Sequence, residues 1–168
     1  MDFRDIKEFV KDTIGIVIII ICAFVIFAYV IGMQQIVGPS MNNTFQNEDY
    51  VIIFKASYNF FPVKRFDIVS FYYDETKYLV KRVIGLPGDT VEIKNDVLYI
   101  NGEQVEEEYV SSKTENFSLE DLGYSTIPED MYLVLGDNRG DSLDSREFGL
   151  VKKEDIVGKV LFKIWPLN

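Results

Sequence analysis

The sequence predicts a mainly β protein, an antiparallel β-sheet domain carried on one N-terminal transmembrane helix. Three observations predict it: an uncharged apolar run near the N-terminus, a succession of short Val-, Ile-, Phe- and Tyr-rich segments separated by turn residues, and an Asn-Gly pair between two such segments. Residues 1–12 read as a cytoplasmic tail, 13–32 as the anchor and 33–168 as an extracytoplasmic domain. From Thr13 to Ile31 no charge occurs. At 1.5 Å per residue such a run crosses a hydrocarbon core of roughly 30 Å. It is longer than the apolar core of a cleaved signal peptide, and no small-residue cleavage site follows it. Arg4, Lys7 and Lys11 precede the run, and no Lys or Arg follows it until Lys55. That asymmetry predicts an N-terminus in the cytoplasm and the bulk of the chain outside.

Beyond the anchor, strands are expected at Tyr50 to Phe54, Asp67 to Tyr73, Tyr78 to Ile84 and Thr90 to Lys94, and again at Met131 to Leu135 and Ile156 to Ile164. Asn101 and Gly102 stand between VLYI and EQV, where both turn residues can take positive φ, so a hairpin is expected there. A surface excursion is expected over about 95–130. Its stretch from Glu106 to Glu129 is acidic, polar and weakly periodic.

Composition excludes several chemistries. The net charge of −10, with no basic stripe, argues against nucleic acid as a partner. The 168 residues contain no histidine, which removes Ser-His-Asp and Cys-His catalysis and the HExxH metal site. Cys22 lies within the apolar run, a poor place for a zinc ligand or a nucleophile. No metal and no cofactor are expected. A hydrolase of this composition needs a base other than imidazole.

Ser40, in VGPSMNNTF, sits on a Gly-Pro turn just beyond the anchor, where a nucleophile would work close to the lipid surface. Taken alone it reads as an ordinary turn serine. Lys81, in KYLVKRVIGLPGD, shares a strand face with Leu79 and Val83, whereas Arg82 points the other way. Apolar surroundings disfavour the ammonium form, and lowering a lysine pKa from ~10.4 to about 7 takes roughly 4 to 5 kcal/mol of differential destabilisation. A neutral amine there could accept the proton of a serine hydroxyl. Taken alone, a Lys-Arg pair in a strand is an exposed or salt-bridged edge. A third cluster, GDNRGDSLDSREFG, concentrates polar side chains from Asp137 to Arg146 in what reads as a hydrogen-bonded turn.

In this order, SM after an anchor, KRVIGLPGD, then GDNR followed by SxDSR and FG, the chain resembles the bacterial type I signal peptidases, in the short Gram-positive-like form, from the anchor to about Trp165. The resemblance implies a membrane-bound serine endopeptidase that removes signal peptides from secreted preproteins, its partners being those preproteins and the lipid of the cytoplasmic membrane. It implies Ser40 as nucleophile and Lys81 as general base, with Ser142 hydrogen-bonding the lysine amine. By the same resemblance, Asp144 and Arg146 are expected to shape the region behind the dyad, and Asp137 and Arg82 to take further structural positions. The backbone N–H of Ser40 is the expected oxyanion donor. Gly38 stands where some members carry a second, hydroxyl donor. Ile36, Val37, Phe45, Leu79 and Val80 are expected to line shallow apolar pockets for small residues at substrate positions −1 and −3.

Four positions depart from the family pattern: Asn43 stands where proline is usual, Glu48 and Phe66 where glycine is usual, and Asp141 where asparagine is common. Two other readings remain open. A soluble self-cleaving repressor-type protease also uses Ser and Lys, but would lack the anchor and the GDNR cluster. A signal-peptidase-like assembly factor for pilin-type surface polymers would share the fold without cutting.

Overall fold

The computed structural model describes residues 3–110 and 112–166, apart from the side chain of Asp5. A helix, α1 (Phe3–Val30), leads directly into the first strand, β1 (Ile31–Gln35). Its segment Ile6–Val30 is long and apolar enough to cross a membrane. The helix begins ten residues ahead of the expected anchor, because the mixed-charge residues 3–12 continue it. It ends where the Lys55 N–H donates to the Val30 carbonyl at 2.8 Å. Ile31 and Gly32, expected within the anchor, therefore belong to the sheet, paired with Phe54 and Ile53.

The remaining strands are β2 (Tyr50–Phe54), β3 (Ile68–Tyr72), β4 (Tyr78–Gly85), β5 (Val91–Lys94), β6 (Val97–Ile100), β7 (Glu103–Val105), β8 (Phe117–Ser118), β9 (Met131–Leu135), β10 (Val151–Lys152) and β11 (Ile156–Trp165). Seven form one antiparallel sheet in the order β1-β2-β11-β3-β4-β9-β10, and four form a second in the order β7-β6-β5-β8. The expected hairpin joins β6 to β7, with Ile100 opposite Glu103 and with Asn101 and Gly102 at φ 54° and 80°. Both turn residues being left-handed matches the twist of the flanking strands.

The larger sheet curls. Ser70 on β3 donates a 2.6 Å hydrogen bond to Gln34 on β1, three places away in strand order. In a flat sheet those strands would lie about 14 Å apart, beyond the reach of a serine and a glutamine together. Curling thus brings the outer edge of β1 toward β4.

The expected surface excursion needs correction. Phe117, Leu119 and Ile127 are buried in one core cluster with Ile84, Leu133 and Leu135, and Tyr109, Leu122 and Tyr124 pack against it. Single apolar residues at irregular spacing leave no periodic signal, yet each fills the space between the two sheets.

Three of the departures from the family pattern fall on left-handed backbone: Asn43, Glu48 and Phe66 have φ of 90°, 72° and 68°. A proline, whose ring holds φ near −65°, could not adopt the Asn43 conformation. Glycine would meet the other two without the 1 to 2 kcal/mol or so that an L side chain costs there. Phe66 is held by its N–H to the Val83 carbonyl at 2.7 Å and by its own carbonyl, which accepts from Arg82 at 3.2 Å. Its ring packs against the core and lies 6.1 Å from that of Tyr109. Glu48 is exposed and makes no side-chain hydrogen bond among the described residues. Glu48→Gly should therefore stabilise the full chain by about 1 kcal/mol in urea denaturation in detergent, whereas Phe66→Gly should destabilise it through lost packing. A Glu48→Gly chain less stable than wild type would remove the strain argument.

Candidate active site

Ser40 lies in a turn that follows β1, and Lys81 lies in the middle of β4. The Lys81 Nζ donates to Ser40 Oγ at 2.7 Å and to the Val80 carbonyl at 3.1 Å. Lys81 is 1 % exposed, and burial lowers its pKa from 10.5 to about 8, with Asp144 and Asp137 acting in the opposite direction. Desolvation outweighs the two carboxylates because neither of them bonds the amine. At pH 7 about a tenth of such amines are neutral and able to take a proton.

The two carboxylates instead fasten the frame. Asp137, fully buried, accepts from Arg82 Nε at 2.8 Å and from Arg82 Nη2 at 2.6 Å. The Thr44 hydroxyl also donates to Asp137 and accepts from Arg82 at 3.1 Å, which ties the Ser40 turn to β4. Asp144, also fully buried, caps the short helix α2 (Ser145–Phe148) and holds Arg146 through bonds of 2.9 Å to both Nε and Nη2. It accepts from the Gly136 N–H at 3.0 Å as well. The Asn138 N–H donates to the Ser40 carbonyl at 3.0 Å, so the Asp137–Arg146 turn grips the nucleophile's own backbone. A Cβ on Gly136 would collide with that carbonyl and with Ser142 Oγ, so glycine is required there for close approach.

Ser142 departs from its expected role. Its Oγ is buried without a hydrogen-bond partner, and the bond expected to the Lys81 amine is not formed. The amine's second partner is the Val80 carbonyl instead. An unpaired buried hydroxyl costs about 1 to 3 kcal/mol. Among the described residues the Ser40 N–H has no acceptor, as an oxyanion donor requires, while the Gly38 N–H is taken by Asn47 Oδ1 at 2.8 Å.

A cavity of about 450 Å³ opens beside the dyad, lined by Gln34, Gln35, Ile36 and Val37 on one side and by Thr76 through Lys81 on the other, with Ser40 and Met41. Ile36, Val37, Leu79 and Val80 are among its lining residues. Phe45 is not: it packs with Met41, Val51, Ile53 and Val80 in the core. Sequence position alone could not separate a pocket wall from the layer behind it. A larger groove of about 1030 Å³ runs between Asn95–Asp96, residues 113–117 and the 139–147 turn, and is lined by neither Ser40 nor Lys81.

Sequence reasoning missed Glu107 and Tyr109, which brace this frame. Arg139, almost wholly buried, pairs with Glu107 through contacts of 3.0 and 2.5 Å, and the Tyr109 hydroxyl donates to the same carboxylate at 2.6 Å. Arg82 lies 4.0 Å over the Tyr109 ring, and Asn43 Nδ2 donates to the Tyr109 carbonyl at 3.1 Å. The only sequence signal was an aromatic residue isolated within an acidic run.

The sequence profile of the signal peptidase family, peptidase S26, matches residues 6–165. The chain is 42% identical to signal peptidase I of Bacillus caldolyticus, over 83% of this chain and 82% of that protein. It is 36% identical to signal peptidase IB of Staphylococcus aureus strain COL, over 96% and 92% of the two chains. A crystal structure of a signal peptidase I from Enterococcus faecalis V583 matches with a TM-score of 0.55 at 44% identity, covering 60% of this chain and 97% of that one. The fold and the family together define a serine endopeptidase on a membrane-anchor helix. The chain belongs to the S26 signal peptidase family.

Burial of Lys81 has a sign that can be measured. The cost of its buried charge is fully present below pH 8 or so and fades as the pH approaches 10.5, because across that window the unfolded chain keeps a proton that the folded chain has lost. Lys81→Met should therefore be more stable than wild type at pH 7, by up to about 3 kcal/mol, with the advantage shrinking toward pH 10.5 in denaturant titrations. An advantage independent of pH would contradict the desolvation.

Proposed function

We propose that this signal peptidase cleaves N-terminal signal peptides from secreted preproteins with Ser40 as nucleophile and Lys81 as general base, its catalytic domain held at the outer face of the cytoplasmic membrane. The observation that carries the reading is the 2.7 Å contact between Ser40 Oγ and the amine of a lysine that is almost fully buried. Such an amine loses its proton far more easily than one in water, and it already points at the hydroxyl it must deprotonate.

The substrate enters as an extended strand. β1 is the outermost strand of its sheet, and β9 pairs with β4 only from Arg82 onward, which leaves Tyr78–Lys81 with one free edge. The two free edges flank the cleft, so a peptide between them meets main-chain donors and acceptors on both sides. Lys81 takes the Ser40 proton as Oγ attacks the carbonyl carbon of residue −1. The Ser40 N–H stabilises the oxyanion, and Lys81 returns the proton to the leaving amine. Water, deprotonated by the same amine, then releases the acyl group and restores the serine. The substrate strand also closes the cleft beside the dyad, which keeps water from the base during the reaction.

The basic residues Arg4, Lys7 and Lys11 ahead of the apolar run support a cytoplasmic N-terminus, and α1 exposes apolar side chains all round, as lipid contact requires. A non-cleaving assembly role finds no support in a site where nucleophile and base are already in contact.

Sealed right-side-out vesicles carrying the full chain should cleave a signal-peptide substrate added outside, and Ser40→Ala should lose at least about 10³-fold in kcat/KM while keeping wild-type stability. Cleavage unchanged in Ser40→Ala would overturn the nucleophile. Activity that appears only once the vesicles are opened would reverse the orientation.

A further inference from the structure

Gln34 lines the cleft, and its side chain is held by a buried group behind the cleft wall. Ser70 on β3 is fully buried, and its hydroxyl donates to Gln34 Oε1 at 2.6 Å. That bond fixes which end of the carboxamide faces which way. The serine proton has no other acceptor among the described residues, so the amide oxygen must be the end turned toward Ser70. The –NH₂ end is left toward the cavity that Gln34 lines, and it donates to no protein group among the described residues. A primary amide has been placed on the wall of an otherwise largely apolar cleft, its donors free and its orientation set from behind.

The position along the substrate follows from strand geometry. Gln34 lies in β1 and Ile36 directly follows the strand's last residue, Gln35; both line the cleft, and an extended backbone over two residues sets their side chains on one face about 6.6 Å apart. An extended substrate has the same spacing between its −1 and −3 side chains. With the −1 carbonyl at Ser40 and Ile36 beside the −1 side chain, the −3 side chain falls beside Gln34.

We infer that Gln34, oriented by Ser70, is a specificity-determining residue that donates a hydrogen bond to a short side chain with an acceptor oxygen, such as serine, threonine or asparagine, at position −3 of the substrate. This rests on the dyad reading above. An aliphatic side chain at −3 leaves the amide donors unpaired as the substrate strand covers them, which disfavours that substrate. The preferred substrates are therefore a subset of preproteins with a polar −3 residue, in place of the purely small apolar pocket expected from sequence.

Threonine and valine differ by a hydroxyl for a methyl, so two signal-peptide substrates identical except for Thr or Val at −3 isolate the effect. The wild-type full chain in detergent should cleave the threonine substrate with kcat/KM about 3- to 10-fold higher, the range of one partly exposed hydrogen bond. Gln34→Leu should abolish or invert that ratio while still cleaving the valine substrate. Ser70→Ala, which leaves the cleft lining unchanged and only frees the amide, should lower the ratio. A wild-type ratio near one, or a ratio unchanged in both variants, would overturn the assignment even though cleavage itself proceeds. Failure of a folded wild-type chain to cut either substrate would instead overturn the dyad reading and this inference with it.

Discussion

The contact between a buried lysine amine and a single serine hydroxyl is the constraint around which the structure is arranged. β1 and β4 are four places apart in the sheet, which in a flat sheet would separate them by about 19 Å. Ser40, just beyond β1, meets Lys81 on β4 because the sheet curls and because the loop from Ile36 to Asp49 folds back toward it. Each group fastened to that loop serves the same end. Thr44 binds Asp137 and Arg82, the Ser40 carbonyl accepts from Asn138, and Asn43 reaches the Tyr109 carbonyl. Three chain segments distant in sequence thereby hold one turn in place.

Keeping Lys81 out of water works against stability, and the surroundings show how it is sustained. Val80 and Met41 lie in one apolar cluster, Leu79 and Val83 in another, so apolar layers flank the amine's strand. The nearest carboxylates, Asp137 and Asp144, are each neutralised by their own arginine and so are poor partners for the ammonium. Were either one free, its charge would hold the lysine protonated. The ion pairs of Arg82 and Arg146 thus protect the base from the acids beside it, as well as supporting the turn.

Much of this was legible in the chain and some was not, for physical reasons. The hairpin at Asn101–Gly102, the strand containing Lys81 and the placing of Leu79 and Val83 together follow from local geometry and period-2 alternation, which sequence records directly. The curl of the sheet is a property of pairing between distant strands, so the Gln34–Ser70 bond had no sequence signal. Phe45 and Val80 look alike as apolar residues near the motifs, yet only Val80 reaches the cleft. Phe117, Leu119 and Ile127 are scattered through an acidic segment, and only the gap between two sheets explains why they are buried. The departures Glu48 and Phe66 read as simple substitutions in sequence, and the positive φ at each gives them a structural meaning.

The central claim is that burial makes Lys81 a base, and titrating that amine tests it most directly. In the full chain in detergent with ¹⁵N-labelled lysine, the Lys81 Nζ resonance, assigned by its loss in Lys81→Met, should titrate with a midpoint near 8. A Lys81 midpoint at about 10.4, indistinguishable from a lysine in water, would contradict the account.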